Sequence, residues 1–466
     1  MTDQTTPTPQ TTQTTQTTQT TPTTPTTQPA ESRHPFSPEM KECPYPHYEA
    51  WRSEAPLVWS DEVGAWLVTS YPVAKGILDD NQRFSSKNSV FGGPQVEHPE
   101  FPSMINRDEP DHRKLRALVS KAFTPRTIEG AWEPRINEYI QELLGAVEQR
   151  GDGRLEVVGD LAYPLPVQMI AEIIGIPPSM HAQFKHWSNL IVQDIGRVPE
   201  HGYESLEEVA EAVGEQAPPR TQQERTPEEM RAEFEEYARR VQAGEEEPSL
   251  FMYFYMQIFD RQQNPRDDLM TRLVEAEVDG EHLTNNELVA FLVLLLVAGN
   301  ETTTNLISHA LRKLSQDLEL QRQVRADRSL IRPLMEEALR WESPIQGFYR
   351  RALEDVEVEG VHVKEGDALL ILYGAANHDP EKFEAPEEFR LDRFAAQTGS
   401  RDHLAFGYGI HFCLGANLAR LEAGRAIEGV LDRWSEFTAI TPQDEIEWWD
   451  TPFFRGPIAF EIALKQ

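Results

Sequence analysis

The sequence is poor in cysteine and in lysine. Only two cysteines, Cys43 and Cys413, occur in 466 residues, which argues against a disulfide framework and suits a reducing compartment. The 44 basic residues include ten lysines and face 77 acidic residues, so the formal net charge is -33. A nucleic-acid or anionic-membrane partner is therefore not expected, because both are bound through basic surface. The charge fits either an ordinary acidic bacterial protein or one adapted to a salt-rich cytoplasm, where ions screen self-repulsion.

The first thirty residues have little charge and no apolar run. They consist mostly of Thr, Gln and Pro, and Asp3 is their only charged side chain. They have neither the basic start nor the apolar centre of a secretory signal and cannot bury a core, so we predict a disordered tail over residues 1–35. The longest apolar run, Leu288–Gly299, is too short to cross a bilayer and predicts a buried helix. We expect a cytoplasmic protein without a transmembrane anchor.

Hydrophobic periodicity predicts a mainly α fold with small β-sheets in its second half, an α+β class, over residues 36–466. Strand-like segments with turn signals occur at 64–72 and 355–374. Residues 200–249 are rich in Glu and Arg with few aliphatic side chains, and they predict a solvated, partly helical acidic excursion. The clearest amphipathic helices are expected at 112–123, 136–150, 165–176 and 417–434.

Cys413 lies in a glycine-rich turn just before the last of these helices, in the stretch AFGYGIHFCLGANLARLEA. Gly409 and Gly415 allow tight turns and close approach of the backbone to sulfur or to a flat ligand. The start of helix 417–434 supplies N–H groups and a positive dipole, which favour a thiolate. A lone cysteine is usually a small buried hydrophobic residue. Zinc is disfavoured because no second Cys or paired His stands at ligand spacing, and a catalytic nucleophile stays open.

Together, the residues FGYGIHFCLG (406–415) resemble the haem-binding loop of the cytochrome P-450 superfamily and meet its pattern F-x-x-G-x-x-x-C-x-G at every defined position. The resemblance covers roughly residues 36–466 and is to the soluble bacterial or archaeal type. It implies the fold of that superfamily, with haem b between a long oxygen-activating helix and the cysteine loop. Cys413 would be the axial thiolate, which favours O–O cleavage. Phe406 would shield the sulfur, and Gly407 and Gly415 would make room for the porphyrin.

The end of the apolar run, Ala298-Gly299-Asn300-Glu301-Thr302, resembles the oxygen-activation motif A-G-x-[D/E]-T of the same superfamily. By itself it is the polar end of a buried helix, and its Gly and Thr residues predict that the helix breaks or kinks there. The resemblance implies that Thr302 hydrogen-bonds iron-bound dioxygen and that Glu301 helps to relay protons. This acid–alcohol pair favours electron-driven monooxygenation over a peroxide-driven reaction.

Basic side chains in three motifs fit the two propionates of haem. His112 and Arg116 belong to a D-x-P-x-H-x-x-x-R motif at 108–116 and lie one helical turn apart; Arg350 starts an R-x-A-x-x-D motif, and His411 lies two residues before Cys413. Arg and His suit charge-assisted contacts to carboxylates. Each of them alone is most often a surface charge. Arg351 directly follows Arg350, so the sequence leaves open which of the two turns inward.

Glu337 and Arg340 stand three residues apart on one predicted helix face. Such a pair is usually a surface ion pair worth well under about 1 kcal/mol. The resemblance instead implies the structural E-x-x-R pair of the superfamily, with Arg393 as its third member.

No GxGxxG turn and no cysteine cluster occurs in the sequence, so electrons must come from a separate ferredoxin or flavodoxin with its NAD(P)H reductase. We expect it to dock near Arg420 and Arg425. The resemblance implies an O2-activating monooxygenase that hydroxylates or epoxidises a hydrophobic small molecule. A peroxide-driven or rearranging enzyme and a non-catalytic haem-binding sensor are the alternatives. The candidate pocket residues are Phe91, Leu295, Ala298, Ile345, Phe348, Phe453 and Phe454.

Overall fold

A computed structural model describes most of the chain, namely residues 33–87, 103–120, 123–194, 227–246, 248–278, 280–395, 402–449, 451 and 453–466. Its α-helices are α1 (Pro38–Glu42), α2 (Tyr45–Glu54), α3 (Tyr71–Asp79), α4 (Asp111–Ser120), α5 (Pro125–Thr127), α6 (Glu133–Arg150), α7 (Pro164–Ile174), α8 (His181–Asp194), α9 (Pro227–Gln242), α10 (Leu250–Gln263), α11 (Leu269–Val274), α12 (Asn285–Gln316), α13 (Leu318–Ala326), α14 (Ile331–Trp341), α15 (Tyr373–Ala376) and α16 (Ala416–Arg433).

The strands are short and form small sheets. They are β1 (Leu57–Ser60), β2 (Ala65–Val68), β3 (Phe84–Ser85), β4 (Arg154–Glu156), β5 (Glu277–Val278), β6 (Glu281–His282), β7 (Gly347–Ala352), β8 (Val356–Val358), β9 (Val361–Val363), β10 (Ala368–Leu372), β11 (Glu436–Ala439) and β12 (Glu461–Lys465).

The largest sheet has the order β1-β2-β10-β7-β3, in which β10 runs parallel to β2 and the other pairs are antiparallel. A second sheet has the order β11-β12-β4, and two hairpins complete the set. The predicted mainly α fold with small sheets is confirmed. The sheets are not confined to the second half of the chain, because β1, β2 and β4 come from the first half. Long-range strand pairing of this kind leaves no local signal in the sequence.

Helix α12 is the central helix. It begins with a capping box, in which the Thr284 hydroxyl accepts from the Glu287 N–H and the Glu287 carboxylate accepts from the Thr284 N–H. By length and apolar composition alone it could cross a membrane, but 78% of its most apolar window is buried inside the protein. It packs against α7, α14 and α16, and its residues contribute to both hydrophobic clusters of the core.

The predicted break in this helix at 298–303 is wrong, because α12 continues through it to Gln316. A Cβ on Gly299 would lie 2.6 Å from Ile170 Cδ1, so the glycine lets α7 pack closely against α12. The Thr302 hydroxyl donates back to the Ala298 carbonyl at 2.8 Å, as a threonine can within a continuous helix.

Parts of the predicted tail and acidic excursion lie outside the described residues, namely residues 1–32 and 195–226. At the end of the tail, Arg33 donates to the Trp59 carbonyl at 3.0 Å. The second part of the excursion forms α9, in agreement with the predicted partial helicity. Phe234 of α9 is buried, and its ring centroid lies 5.6 Å from that of Phe259, so this helix is attached to the core.

Candidate active site

The loop that carries Cys413 closes on itself through a backbone hydrogen bond, because the Cys413 N–H donates to the Phe406 carbonyl at 2.9 Å. Gly407 and Gly409 have φ values of 67° and 68°, in the left-handed region that favours glycine. A Cβ on Gly409 would lie 2.3 Å from the Leu78 carbonyl oxygen. Gly409 is therefore required by the tight turn, as predicted, and by packing against α3, and its approach to a ligand stays a prediction.

Gly415 has a different environment. Its φ is -83°, and a Cβ built on it would meet no atom within 4 Å. The residues from 405 to 415 are all half-buried, although they lie between the buried Leu404 and the buried Ala416. This side of the loop is therefore open to a ligand, as expected for Gly415.

Burial raises the pKa of the Cys413 thiol, whereas the backbone N–H groups of Gly415 and Ala416 and the guanidinium groups of Arg116 and Arg420 lower it. The fold thus directs donors and positive charge at a sulfur that it also desolvates. A metal bound to the sulfur would deprotonate it outright. Among the described residues, no group of three or more His, Cys, Asp or Glu side chains could hold a metal ion.

The four basic residues predicted for the propionates come together beside this loop. The ring centroids of His112 and His411 lie 4.2 Å apart, and Arg116 Nη2 donates to the Phe412 carbonyl at 2.8 Å. Burial, reinforced by the charges of Arg350, His112 and Arg116, lowers the pKa of His411 to about 2. Two guanidinium groups and two imidazoles therefore converge on one position.

Anionic partners for this cluster are few among the described residues. Both ring nitrogens of His112 and Nε2 of His411 are buried and lack a hydrogen-bond partner there. His112 Nδ1 lies 3.7 Å from Glu109 Oε1, too far for a hydrogen bond. Asp108 is already occupied, since it accepts from the Ser86 N–H at 2.7 Å. Buried donors without partners are costly, and a ligand that carries carboxylates would satisfy them.

The structure decides between the two neighbouring arginines of β7. Arg350 is only 5% exposed and faces the His411 side, where burial lowers its pKa and Tyr373 and Asp108 oppose that shift. Arg351 is half-buried and donates to the Gly366 carbonyl at 2.6 Å. Alternation along a strand turns the two side chains to opposite faces of the sheet, and Arg350 is the one that turns inward.

One stripe of α12 is less buried than the rest of the helix. Leu294 and Thr302 are half-buried and Ala298 between them is exposed, whereas Leu296 and Asn300 are fully buried. Positions four residues apart lie on one helix face. An exposed stripe in the middle of a buried helix marks a cleft, and Thr302 lies on it. Leu294, which we did not predict, belongs to this stripe, whereas the predicted Leu295 is buried.

Glu301 lies beside the stripe but is buried, at 1% exposure. Burial raises its pKa to about 7, and neither carboxylate oxygen has a hydrogen-bond partner among the described residues. The hydroxyl of Tyr163 is near, since Glu301 adds to the effect of burial in raising the pKa of Tyr163. A carboxyl group that changes protonation near neutral pH is suited to proton transfer.

The apolar residues predicted for the pocket partly come together. Ile345 and Phe454 form an isolated β-bridge. The rings of Phe348 and Phe453 are stacked with their centroids 6.3 Å apart. Phe91 lies outside the described residues. The stacked rings of Phe348 and Phe453 are thus held together by backbone pairing between the residues just before β7 and the C-terminal segment.

The predicted E-x-x-R network is confirmed. Arg340 donates to both oxygens of Glu337 at 2.8 Å, and both side chains are completely buried. Arg393 Nε donates to Glu337 Oε1 at 3.2 Å, and the Arg390 N–H also reaches this oxygen, at 2.8 Å. This network ties α14 to the segment that leads into the cysteine loop.

The two arginines near which we expect an electron donor to dock are both ion-paired within the protein, and the docking site itself stays a prediction. Arg420 has a side chain only 14% exposed, and it binds the buried Glu336 with both ends of its guanidinium fork. Arg425 pairs with Glu133 and Glu428. Both positive charges are therefore compensated within the protein. Sequence reasoning missed Glu336, because nothing in the sequence indicates that two adjacent glutamates on a helix are both buried.

A family model described as Cytochrome P450 matches residues 230–450. Cytochrome P450 109 of Bacillus spizizenii is 36% identical over 413 residues, which are 89% of this chain and 90% of the relative. CYP109E1 from Bacillus megaterium, in complex with testosterone, has a TM-score of 0.71 and 34% identity over 91% of this chain and 99% of that one. P450BioI in complex with acyl carrier protein ligated to hexadec-9Z-enoic acid has a TM-score of 0.74 and 31% identity over 92% and 99%.

The cofactor of this family is haem b, and the residues present fit it. An iron porphyrin with two carboxylates matches three features: a cysteine sulfur with donors aimed at it, an open face at Gly415, and a cluster of basic side chains with few anionic partners among the described residues. The chain belongs to the cytochrome P450 family and is a haem-dependent monooxygenase.

Proposed function

We propose that this enzyme holds haem through Cys413 and inserts one oxygen atom of O2 into a hydrophobic small molecule, with electrons from a separate protein. The observation that carries the proposal is the convergence of His112, Arg116, Arg350 and His411, in which both ring nitrogens of His112 and Nε2 of His411 lack a hydrogen-bond partner among the described residues. Bound haem supplies reductive activation of O2, which side chains alone do not provide. The chain's own residues orient the cofactor, exclude water and move protons.

Cys413 would bind the iron, and the N–H groups of Gly415 and Ala416 would stabilise its negative charge. The basic cluster would neutralise the propionates. Two separate sets of residues would thus hold the cofactor, since the sulfur lies on the loop and the cluster draws its side chains from α4, β7 and the same loop.

Glu301 and Thr302 would deliver protons on the α12 side. Thr302 has its hydroxyl bonded to the Ala298 carbonyl at 2.8 Å, so its lone pairs stay free to accept and its proton can switch partner. Glu301, with a pKa of about 7, can hold a proton and release it at neutral pH. Thr302, which lies on the stripe facing the cleft, thus suits the position next to the bound oxygen. Glu301, which is buried beside that stripe, suits the position that supplies Thr302 with protons.

The substrate would be an apolar molecule of considerable size. Phe348, Phe453 and Ile345 are apolar and lie near one another, and the exposed Ala298 leaves room above α12. The relatives that carry ligands hold a steroid and a fatty acyl chain, which supports this class. Apolar pockets with few polar groups bind such ligands.

The electron donor would be a ferredoxin or flavodoxin with its NAD(P)H reductase, in a cytoplasmic setting. The sequence contains no motif for a fused flavin or iron–sulfur domain. A peroxide-driven or rearranging reaction is the alternative, and product formed with peroxide in the absence of any reductase would favour it.

The test is the absorption spectrum of the purified, dithionite-reduced protein with carbon monoxide. A Soret band far to the red of ordinary haem proteins is expected for thiolate ligation, and Cys413→Ser should abolish it while Cys43→Ser keeps it. An ordinary band in the unmodified protein would overturn the assignment of Cys413. With a redox partner present, Thr302→Ala should consume NAD(P)H without forming a matching amount of product. Unchanged coupling would exclude Thr302 from proton delivery.

A further inference from the structure

A buried acid lies behind the cysteine loop and has no role in the mechanism above. Glu336 of α14 is 1% exposed. Arg420 of α16 donates to it twice, from Nε to Oε1 at 2.6 Å and from Nη2 to Oε2 at 2.9 Å. His403 Nε2 lies 2.9 Å from the same Oε2. The His403 Nδ1 accepts from the Ala405 N–H at 3.3 Å, so the ring carries its proton on Nε2 and donates to Glu336.

These three residues, Glu336, His403 and Arg420, form what we call the loop-support cluster. Its carboxylate is firmly ionised: burial acts against ionisation, but hydrogen bonds from His403 and Arg420 lower the pKa of Glu336 to about 2. A buried, bidentate acid–arginine pair is rigid, because two parallel hydrogen bonds between charged groups fix the relative orientation of the two side chains.

The cluster reaches the cysteine loop through Phe406. The Arg420 guanidinium carbon lies 4.4 Å from the centroid of the Phe406 ring, and the His403 ring lies 5.9 Å from it. The carbonyl of Phe406 in turn accepts the Cys413 N–H at 2.9 Å. Contacts therefore run from a carboxylate on α14 to the backbone of the cysteine, and each of them is made by a buried or half-buried group.

The cluster also sets the charge near the sulfur. Arg420 stacks on Phe406, whose carbonyl accepts the Cys413 N–H, so its positive charge lies against the cysteine loop. Glu336 compensates that charge from the far side of the guanidinium. An added positive charge near a thiolate-bound iron favours the more negative, reduced state, and an added negative charge favours the oxidised state.

We propose that Glu336 is a positioning residue that acts through Arg420 and Phe406 to fix the Cys413 sulfur and to set the reduction potential of the iron bound to it. The inference rests on the assignment of Cys413 in the proposed function. Glu336 lies outside the predicted site. If the pair only stabilised the fold, removing either partner would have the same kind of effect. If it sets the potential, removal of Glu336 and removal of Arg420 shift the reduction potential in opposite directions.

The experiment is a redox titration of the haem-loaded protein in four forms: unmodified, Glu336→Gln, Arg420→Gln and the double variant. Glu336→Gln removes the negative charge paired with Arg420 and should raise the midpoint potential. Arg420→Gln should lower it, and the double variant should return towards the unmodified value. Glu428→Gln, which removes a partner of Arg425 on the same helix, is the matched control and should cause no shift.

Arg420→Lys keeps the charge but not the bidentate fork or the stacking on Phe406, and it covers the case in which a Gln variant fails to fold. It should keep the potential near the unmodified value while a larger fraction of the reduced, carbon monoxide-treated protein shows an ordinary haem band. Three outcomes would overturn the inference. The potential shifts in the same direction in both single Gln variants, it does not shift in either, or the spectrum of Arg420→Lys is identical to that of the unmodified protein. If the unmodified protein lacks the red-shifted band, the Cys413 assignment fails first.

Discussion

The ring centroids of His112 and His411 lie 4.2 Å apart, His112 lies beside the half-buried Arg116, and His411 lies beside Arg116 and the buried Arg350. Such an arrangement is unfavourable by itself, because like charges and unpaired donors are gathered away from water. A bound ligand with two negative charges would explain this arrangement, because it would neutralise the guanidinium groups and accept hydrogen bonds from the imidazoles. The residues that bind the propionates should therefore contribute to haem retention and little to the stability of the chain without haem.

The first prediction compares Arg350 with Arg351. Arg350→Met removes a charge-assisted contact worth about 1.5–3 kcal/mol, which corresponds to haem loss faster by about tenfold to a hundredfold. Arg351→Met, at the neighbouring position on the opposite face of β7, should leave the rate unchanged. Transfer of haem to excess apomyoglobin measures both rates. Equal rates in the two variants would contradict the assignment of Arg350.

The second prediction concerns Glu301 and pH. Burial raises the pKa of Glu301 to about 7, so the carboxyl group holds a transferable proton below this pH and has lost it above. The yield of product per NAD(P)H should therefore fall as the pH rises through about 7. Glu301→Gln should give a low yield at every pH, without that fall. Glu422 is another buried acid with a raised pKa, and Glu422→Gln should keep the fall near pH 7. A Glu301→Gln variant with the unmodified profile would contradict the relay.

The third prediction uses Glu422 itself. Burial raises its pKa from 4.5 to about 8. The folded state therefore binds a proton more tightly than the unfolded state, and the stability due to this group is present below about pH 4.5 and is lost as the pH rises to about 8. The loss amounts to a few kcal/mol. Glu422→Gln should unfold at higher denaturant concentration than the unmodified protein at pH 8, and the difference should vanish near pH 4.5. A constant difference would contradict the titration.

The fourth prediction concerns the Glu337–Arg340 pair. Both side chains are completely buried, so Glu337→Gln removes the carboxylate that Arg340 and Arg393 share and should cost about 3–5 kcal/mol of unfolding free energy. Glu319→Gln removes a partner from the exposed Arg322 and should cost under about 0.5 kcal/mol. Denaturant titrations followed by circular dichroism give both values. Similar small losses in the two variants would mean that the buried network does not stabilise the fold.

The sequence predicted the parts of this site that depend on spacing along the chain. His112 and Arg116 share a helix face because helical geometry puts residues four apart together, and Glu337 and Arg340 meet for a similar reason. Contacts between segments far apart in the chain could not be predicted from the sequence. The choice of Arg350 over Arg351 depends on strand register with β10, and the pairing of Glu336 with His403 and Arg420 joins three segments.

Helix α12 shows a different limit of local reasoning. Gly299 and the threonines after it are poor helix formers, so the sequence predicted a break. The helix nevertheless continues, because α7 packs closely against it at Gly299, where a Cβ would lie 2.6 Å from Ile170. Tertiary burial of the surrounding apolar residues outweighs about 1 kcal/mol of lost propensity.

The last prediction separates two glycines of the cysteine loop. Gly409→Ala puts a Cβ 2.3 Å from the Leu78 carbonyl oxygen at a φ of 68°, so the backbone must shift and the fold should lose about 1–3 kcal/mol with or without haem. Gly415→Ala meets nothing within 4 Å at a φ of -83°, so the chain freed of haem should keep its stability within about 0.5 kcal/mol. If the porphyrin covers this face, Gly415→Ala should lose haem faster than the unmodified protein. A Gly415→Ala protein that retains haem normally would show that the cofactor does not lie against this residue, and the space beside it would need another occupant.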